Sequence, residues 1–142
     1  MKQIVNLVVS ALAFAILGLV TAPSARAAGP YCSNATLNGS YSALITGTLA
    51  GAPFAELDLV TSNGDGTFSG TGTVSENGVI STVSITATYT VNSNCSGSAS
   101  LSTGVTQNFN IQPDGSEVDI IATNSGTTIT AVAKRLGGQH YN

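Results

Sequence analysis

Two pairs of carboxylates stand two residues apart in this chain, Glu56 with Asp58 and Glu117 with Asp119. Paired carboxyls are the groups with which glycosidic bonds are hydrolysed, one as acid and the other as base or nucleophile. In an extended strand each pair shares one face, and the neighbours decide which face that is. Ala55, Leu57 and Leu59 alternate with the first pair, and Val118, Ile120 and Ala122 with the second. Both pairs are therefore read as solvent-facing charge that discourages aggregation. A serine or cysteine nucleophile needs a base, commonly histidine, and the single histidine, His140, sits in the C-terminal tail where no strand pattern remains. Asn63, Asp65 and Thr67 alternate like the first ligands of a calcium loop, but the twelfth position, where that motif places glutamate, is Val74. A hairpin turn accounts for them, and one histidine with two cysteines is too few for a zinc centre. The sequence thus offers no catalytic residue, no metal site and no cofactor motif.

The ends and the charge bound the remaining classes. Met1-Lys2-Gln3, an apolar run from Ile4 to Val20 and the small-residue site Ala25-Arg26-Ala27 have the order of an export signal, a signal helix cleaved after Ala27. An uncleaved anchor is the alternative, but the run is short for a bilayer span. Export places the product in the periplasm or outside the cell, with no stable membrane insertion after cleavage. Removing 27 of the 142 residues leaves 28–142, the size of one domain. Lys134 and Arg135 then face seven carboxylates, a net charge of minus five. Binding nucleic acid needs a basic stripe, which two adjacent cations do not make. Cys32 and Cys95 are the only cysteines, and in an oxidising compartment they are expected to form one disulfide.

Hydrophobic residues make up 42% of the chain and recur after the signal with a period of two, broken about every ten residues by Asn-, Asp- and Gly-rich turns. Strands are predicted at about 40–48, 53–61, 67–74, 79–91, 95–101, 105–112, 117–123 and 127–135, followed by a frayed tail over 136–142. Every link is short enough to be a hairpin. The prediction is an all-β domain, an eight-stranded antiparallel up-and-down meander closed into a barrel, with a two-sheet sandwich as the alternative. Closure also explains how strands so poor in Lys and Pro avoid edge-to-edge pairing. One end of the barrel would be plugged by the segment from Cys32 to Gly39, pinned through Cys95.

The predicted interior carries Tyr41, Leu57, Phe68, Tyr89, Gln107 and Phe109 among smaller alanines and glycines, and these six are the candidate ligand-binding residues. A barrel of eight strands either fills its interior with side chains or holds one small ligand. The leading expectation is a module that binds a small apolar molecule there. The alternatives are a structural or surface-interaction protein acting through its Ser/Thr-rich exterior, and an isomerase that works by confinement.

The stretch Cys32-Ser33-Asn34-Ala35-Thr36-Leu37-Asn38-Gly39-Ser40-Tyr41, with the turn Asn63-Gly64-Asp65-Gly66 and the closing Ala133-Lys134-Arg135-Leu136, resembles a group of small secreted bacterial β-proteins. That resemblance implies export and an independent β domain, and no activity. In architecture the chain is similar to lipocalin-like and allene-oxide-cyclase-like barrels, which implies an interior suited to apolar ligands.

Overall fold

The computed structural model describes residues 31–137. The expected signal segment, most of the expected tail and His140 lie outside these residues. Eight strands follow in chain order: β1 (Asn38–Leu49), β2 (Ala52–Asn63), β3 (Thr67–Glu76), β4 (Val79–Val91), β5 (Ser96–Leu101), β6 (Thr106–Ile111), β7 (Glu117–Ala122) and β8 (Thr127–Arg135). Each pairs antiparallel with the next, and β8 returns to β1 from Tyr41↔Arg135 to Leu49↔Thr127, so the sheet is a closed up-and-down barrel. The sandwich alternative is set aside.

Turn chemistry explains the meander. At the lower end, Asp65 Oδ1 accepts hydrogen bonds from Thr67 N at 2.9 Å and Thr67 Oγ1 at 2.7 Å, and Asn94 Oδ1 does the same for Ser96 N at 3.1 Å and Ser96 Oγ at 2.7 Å. Asp114 Oδ1 accepts from Ser116 N at 2.9 Å. Short side-chain acceptors of this kind stand in for a backbone turn. The same bonds, from the Thr67 and Ser116 side chains first, hold the Asp65 and Asp114 carboxyls below their ordinary range. Asp65 is thereby a turn former, as its hairpin reading requires.

A plug closes this lower end. Residues Asn34–Thr36 form a single 3-10 turn, and the Cys32–Cys95 disulfide ties its start to the β4–β5 turn. The Asn34 side chain accepts from Val91 N at 2.8 Å. Tyr89 Oη reaches Leu37 O at 3.1 Å, and Ser62 Oγ donates to the same carbonyl. From the far side of the barrel, the Arg135 guanidinium donates to Thr36 O at 2.6 Å, Asp114 O at 3.1 Å and Tyr41 Oη at 2.9 Å. Its carbon also lies 5.5 Å from the Tyr41 ring centroid, a cation–π distance. Among the described residues the buried side-chain polar atoms of the plug thus meet partners, which is what burial demands.

Two features depart from the sequence expectation. The first is the face of β2: Leu57 and Leu59 are each 56% exposed and Ala55 is also outward, whereas Asp58 and Ser62 are buried and Glu56 and Val60 half-buried. Leu57 is therefore not an interior residue, and Glu56 and Asp58 are not surface charge. Register is the physical reason. Ala50 and Gly51, both at positive φ, make a two-residue hairpin turn that pairs Tyr41 with Val60, Ala43 with Asp58 and Ile45 with Glu56. Residues directly opposite in a ladder share a face, so inward Tyr41, Ala43 and Ile45 oblige the even-numbered residues of β2 to point inward. The pairing of Asp58 with Gly72 and Glu56 with Val74 on β3 imposes the same parity from the other side. Displaced outward, Leu57 stands beside Leu44, which pairs in turn with Val132.

The second feature is an uneven rim. β1 to β4 are ten to thirteen residues long, whereas β5, β6 and β7 have six each. β4 pairs with β3 from Val79 to Thr88 but with β5 only from Ala87 to Val91. The stretch Val79–Ile85 therefore rises above the low wall with a strand on one side only, so closure removes the sheet edge along most of the barrel but not here.

Candidate functional site

The core packs inward from all eight strands, with Tyr41, Ala43, Ile45, Tyr89, Ala99, Phe109, Val118, Ile129, Ala131 and Ala133 buried in one cluster. Inside it lies a cavity of about 90 Å³. Tyr41, Phe68, Tyr89, Gln107 and Phe109 all line it, together with Ala43, Val60, Ile85, Ala99 and Ala131. Leu57 does not. Asp58 and Ser62 do, and neither was expected to.

The wall has a graded polarity set by the β2 register. Nearest the plug, Ser62 Oγ lies 2.9 Å from Tyr89 Oη, and the Tyr89 and Phe68 rings stack with centroids 6.3 Å apart. Tyr41 Oη donates to Gly115 O at 2.9 Å, so both tyrosine hydroxyls are spent on the floor. Midway up, Asp58 lies between Ala43 and Gly72. One level higher, Glu56 lies between Ile45 and Val74. Gln107 enters from the opposite wall on β6, beside Ala99 and Ala122. Among the described residues no segment crosses the upper end, which is framed by the hairpin turns after β1, β3, β5 and β7.

The carboxyl pair is the strongest electrostatic feature of the interior. Burial, then repulsion by Glu56, then a hydrogen bond with Glu56 push the Asp58 carboxyl up to about 7. Burial likewise raises Glu56, against an opposing hydrogen bond from Asp58. Two carboxyls in one poorly hydrated site cannot both ionise cheaply, so they hold a proton between them near neutral pH. Gly72 makes room for them: a Cβ there would overlap Asp58 Oδ1 and come within 2.9 Å of Glu56 Oε1. The two oxygens converge over a bare Cα.

Compared with known protein families, curated proteins and solved structures, the chain matches none at a significant level. The reading of the site therefore rests on its geometry.

The arrangement limits the chemistry. The engineered cavity that takes up benzene measures about 150 Å³, so a molecule held wholly inside this one is smaller. Ligand pockets for drug-sized molecules run from about 300 Å³ upward, and a lipocalin-sized guest does not fit. A sequence signal for the buried carboxyls did exist. Carrying the parity of Tyr41 across the two-residue turn at Ala50-Gly51 gives Glu56 and Asp58 inward directly, while ranking the two faces of β2 by apolarity gives the opposite answer.

Proposed function

We propose that this is an exported binding module whose barrel interior takes up one small, largely apolar molecule without altering it covalently. The disulfide is compatible with a periplasmic or extracellular site of action. The observation that carries the reading is the cavity itself: a void of about 90 Å³ walled by alanine, valine, isoleucine and aromatic side chains above a hydrogen-bonded plug. Well-packed interiors leave few voids larger than a water molecule, and unfilled volume forfeits dispersion contacts, so a guest that restores them gains free energy.

Cyclopentane, about as bulky as benzene, is a suitable probe because the upper end is uncovered among the described residues and lets part of the ring protrude, and the alanine methyl groups report on it. In a methyl NMR titration of the domain, the Ala43, Ala99 and Ala131 signals are expected to shift in a saturable way while those of Leu44 and Leu57, on the outside, stay put. Unmoved interior methyls at saturating cyclopentane overturn the proposal.

Surface assembly is a second reading with an observation of its own. Val79–Ile85 presents unpaired backbone groups without a lysine, proline or charge to guard them, and Val79 and Ile80 are 69% and 66% exposed. Such an edge is a template for another strand. Sedimentation from low to high micromolar concentration should then show self-association that Ile80→Lys suppresses. A monomer across the whole range removes the reading.

A further inference from the structure

Asp58 is 8% exposed and lines the cavity, and with both carboxyls ionised its Oδ1 has no hydrogen-bond partner. Buried polar groups are nearly always satisfied, and an exception calls for an explanation. Glu56 cannot supply one as an anion, since a carboxylate only accepts. No cation of the described residues reaches the pair either. Lys134 points outward to Glu117 at 3.4 Å, and Arg135 lies under the barrel, committed to Tyr41 and the carbonyls of Thr36 and Asp114. The cross-strand neighbours of the two carboxyls are Ala43 and Ile45 from β1 and Gly72 and Val74 from β3. None of them titrates, and the Tyr41 and Tyr89 hydroxyls are turned to the floor.

A buried anionic pair without a counter-cation is an energetic debt that either a proton or a ligand cation can settle. The donor set discriminates among cations. Calcium and magnesium take six or more oxygens, whereas the cavity offers two carboxyls at this level, the Gln107 amide on the opposite wall and Ser62 committed to the plug, among alkyl and aromatic groups. An alkylammonium head suits it, because three N–H donors can meet Asp58 Oδ1, Glu56 and water at the mouth while the hydrocarbon part covers the apolar wall. The size of the cavity, below the ~150 Å³ that takes benzene, holds that hydrocarbon part to about three to five carbons. We propose that the barrel interior is a site for a small primary ammonium ion, its head held by Glu56 and Asp58 and its short aliphatic tail directed toward Val60, Ala99 and Phe109. This rests on the cavity reading above and adds the chemical class of the guest.

The test compares isobutylamine with its neutral isostere 2-methylpropan-1-ol, read by the same methyl titration. At pH 8 the amine is expected to bind about tenfold or more tighter than the alcohol, since a charge-assisted bond is roughly twice as strong as a neutral one. Affinity for the amine should fall by about tenfold between pH 8 and pH 5.5 as the pair takes up a proton, while affinity for the alcohol stays nearly level. Asp58→Asn should remove the preference for the amine, and interior Ala99 and Ala131 methyl signals that stay in place in the ligand-free variant certify that its fold is intact. Equal affinity for amine and alcohol, or an amine preference that survives Asp58→Asn, overturns the ammonium assignment. If cyclopentane binds in either case, the cavity reading stands. If no probe binds, both fall.

Discussion

Replacing Cys32 and Cys95 together with alanine is expected to lower the unfolding free energy by about 4 kcal/mol, a large share of the 5–15 kcal/mol typical of a domain. The disulfide spans a sequence separation of 63 residues. In the chain-entropy account, opening a loop of that length frees roughly this much conformational entropy in the unfolded state. It joins the segment before β1 to the start of β5, so the loop it closes contains β1 to β4, the tall half of the barrel. The native plug has other anchors, among them Val91 N to the Asn34 side chain at 2.8 Å and Arg135 to Thr36 O at 2.6 Å. The variant should therefore fold to the same barrel with the same interior methyl signals, and the loss should show as a lower urea midpoint and a melting temperature lower by roughly 15 °C. A loss under about 1 kcal/mol would mean that the denatured chain already keeps these ends together, since stabilisation by a cross-link acts largely through the unfolded state.

The contrast between what was legible in the sequence and what was not lies in two strands. β4 runs Val79 to Val91 with threonine or serine at nearly every second place. There the local pattern and the register agree, so Ile85, Ala87 and Tyr89 are inward on both grounds. β2 is different. Its outward set, Ala55, Leu57 and Leu59, is more apolar than its inward set of Phe54, Glu56, Asp58, Val60 and Ser62. Burial preference taken strand by strand selects the wrong face, and the two neighbouring ladders override it because a slip of one residue would reverse every side chain at once. The conflict costs the barrel exposed leucines outside and buried carboxyls inside. Conflicts of this kind between local pattern and fold are expected at functional sites. The seven other strands, the disulfide and the plug follow from alternation, turn residues and cysteine count. Neither the cavity nor the free stretch of β4 follows from them. The first depends on how alanines and glycines from different strands fall at one level, and the second on hairpins of unequal length meeting around a ring.

Asp58→Asn should stabilise the protein at pH 8, by about 2–3 kcal/mol, and flatten its dependence on pH. The sign follows from linkage. With its carboxyl pushed up to about 7 in the fold, against an ordinary value of 3.8, Asp58 binds more protons folded than unfolded between these two values. Stability slopes downward with pH wherever the native state holds the extra proton. The contribution is fully present below the unfolded value and is lost as pH rises through about 7. A shift of this size corresponds to at most ~4 kcal/mol, reduced here because water reaches the half-buried Glu56 beside it from the upper end. Glu56, also raised, slopes the same way. Asp65 and Asp114, held below their ordinary range, contribute the opposite slope, but in acid below this window. Wild-type protein should therefore melt roughly 10 °C lower at pH 8 than at pH 5. The variant, whose neutral amide can donate to Glu56 and needs no proton to do so, should melt at nearly one temperature across the range. The result that breaks the argument is a wild type as stable at pH 8 as at pH 5. That would mean Asp58 ionises without penalty, and a carboxylate already at ease in the barrel leaves nothing for a cationic guest to relieve.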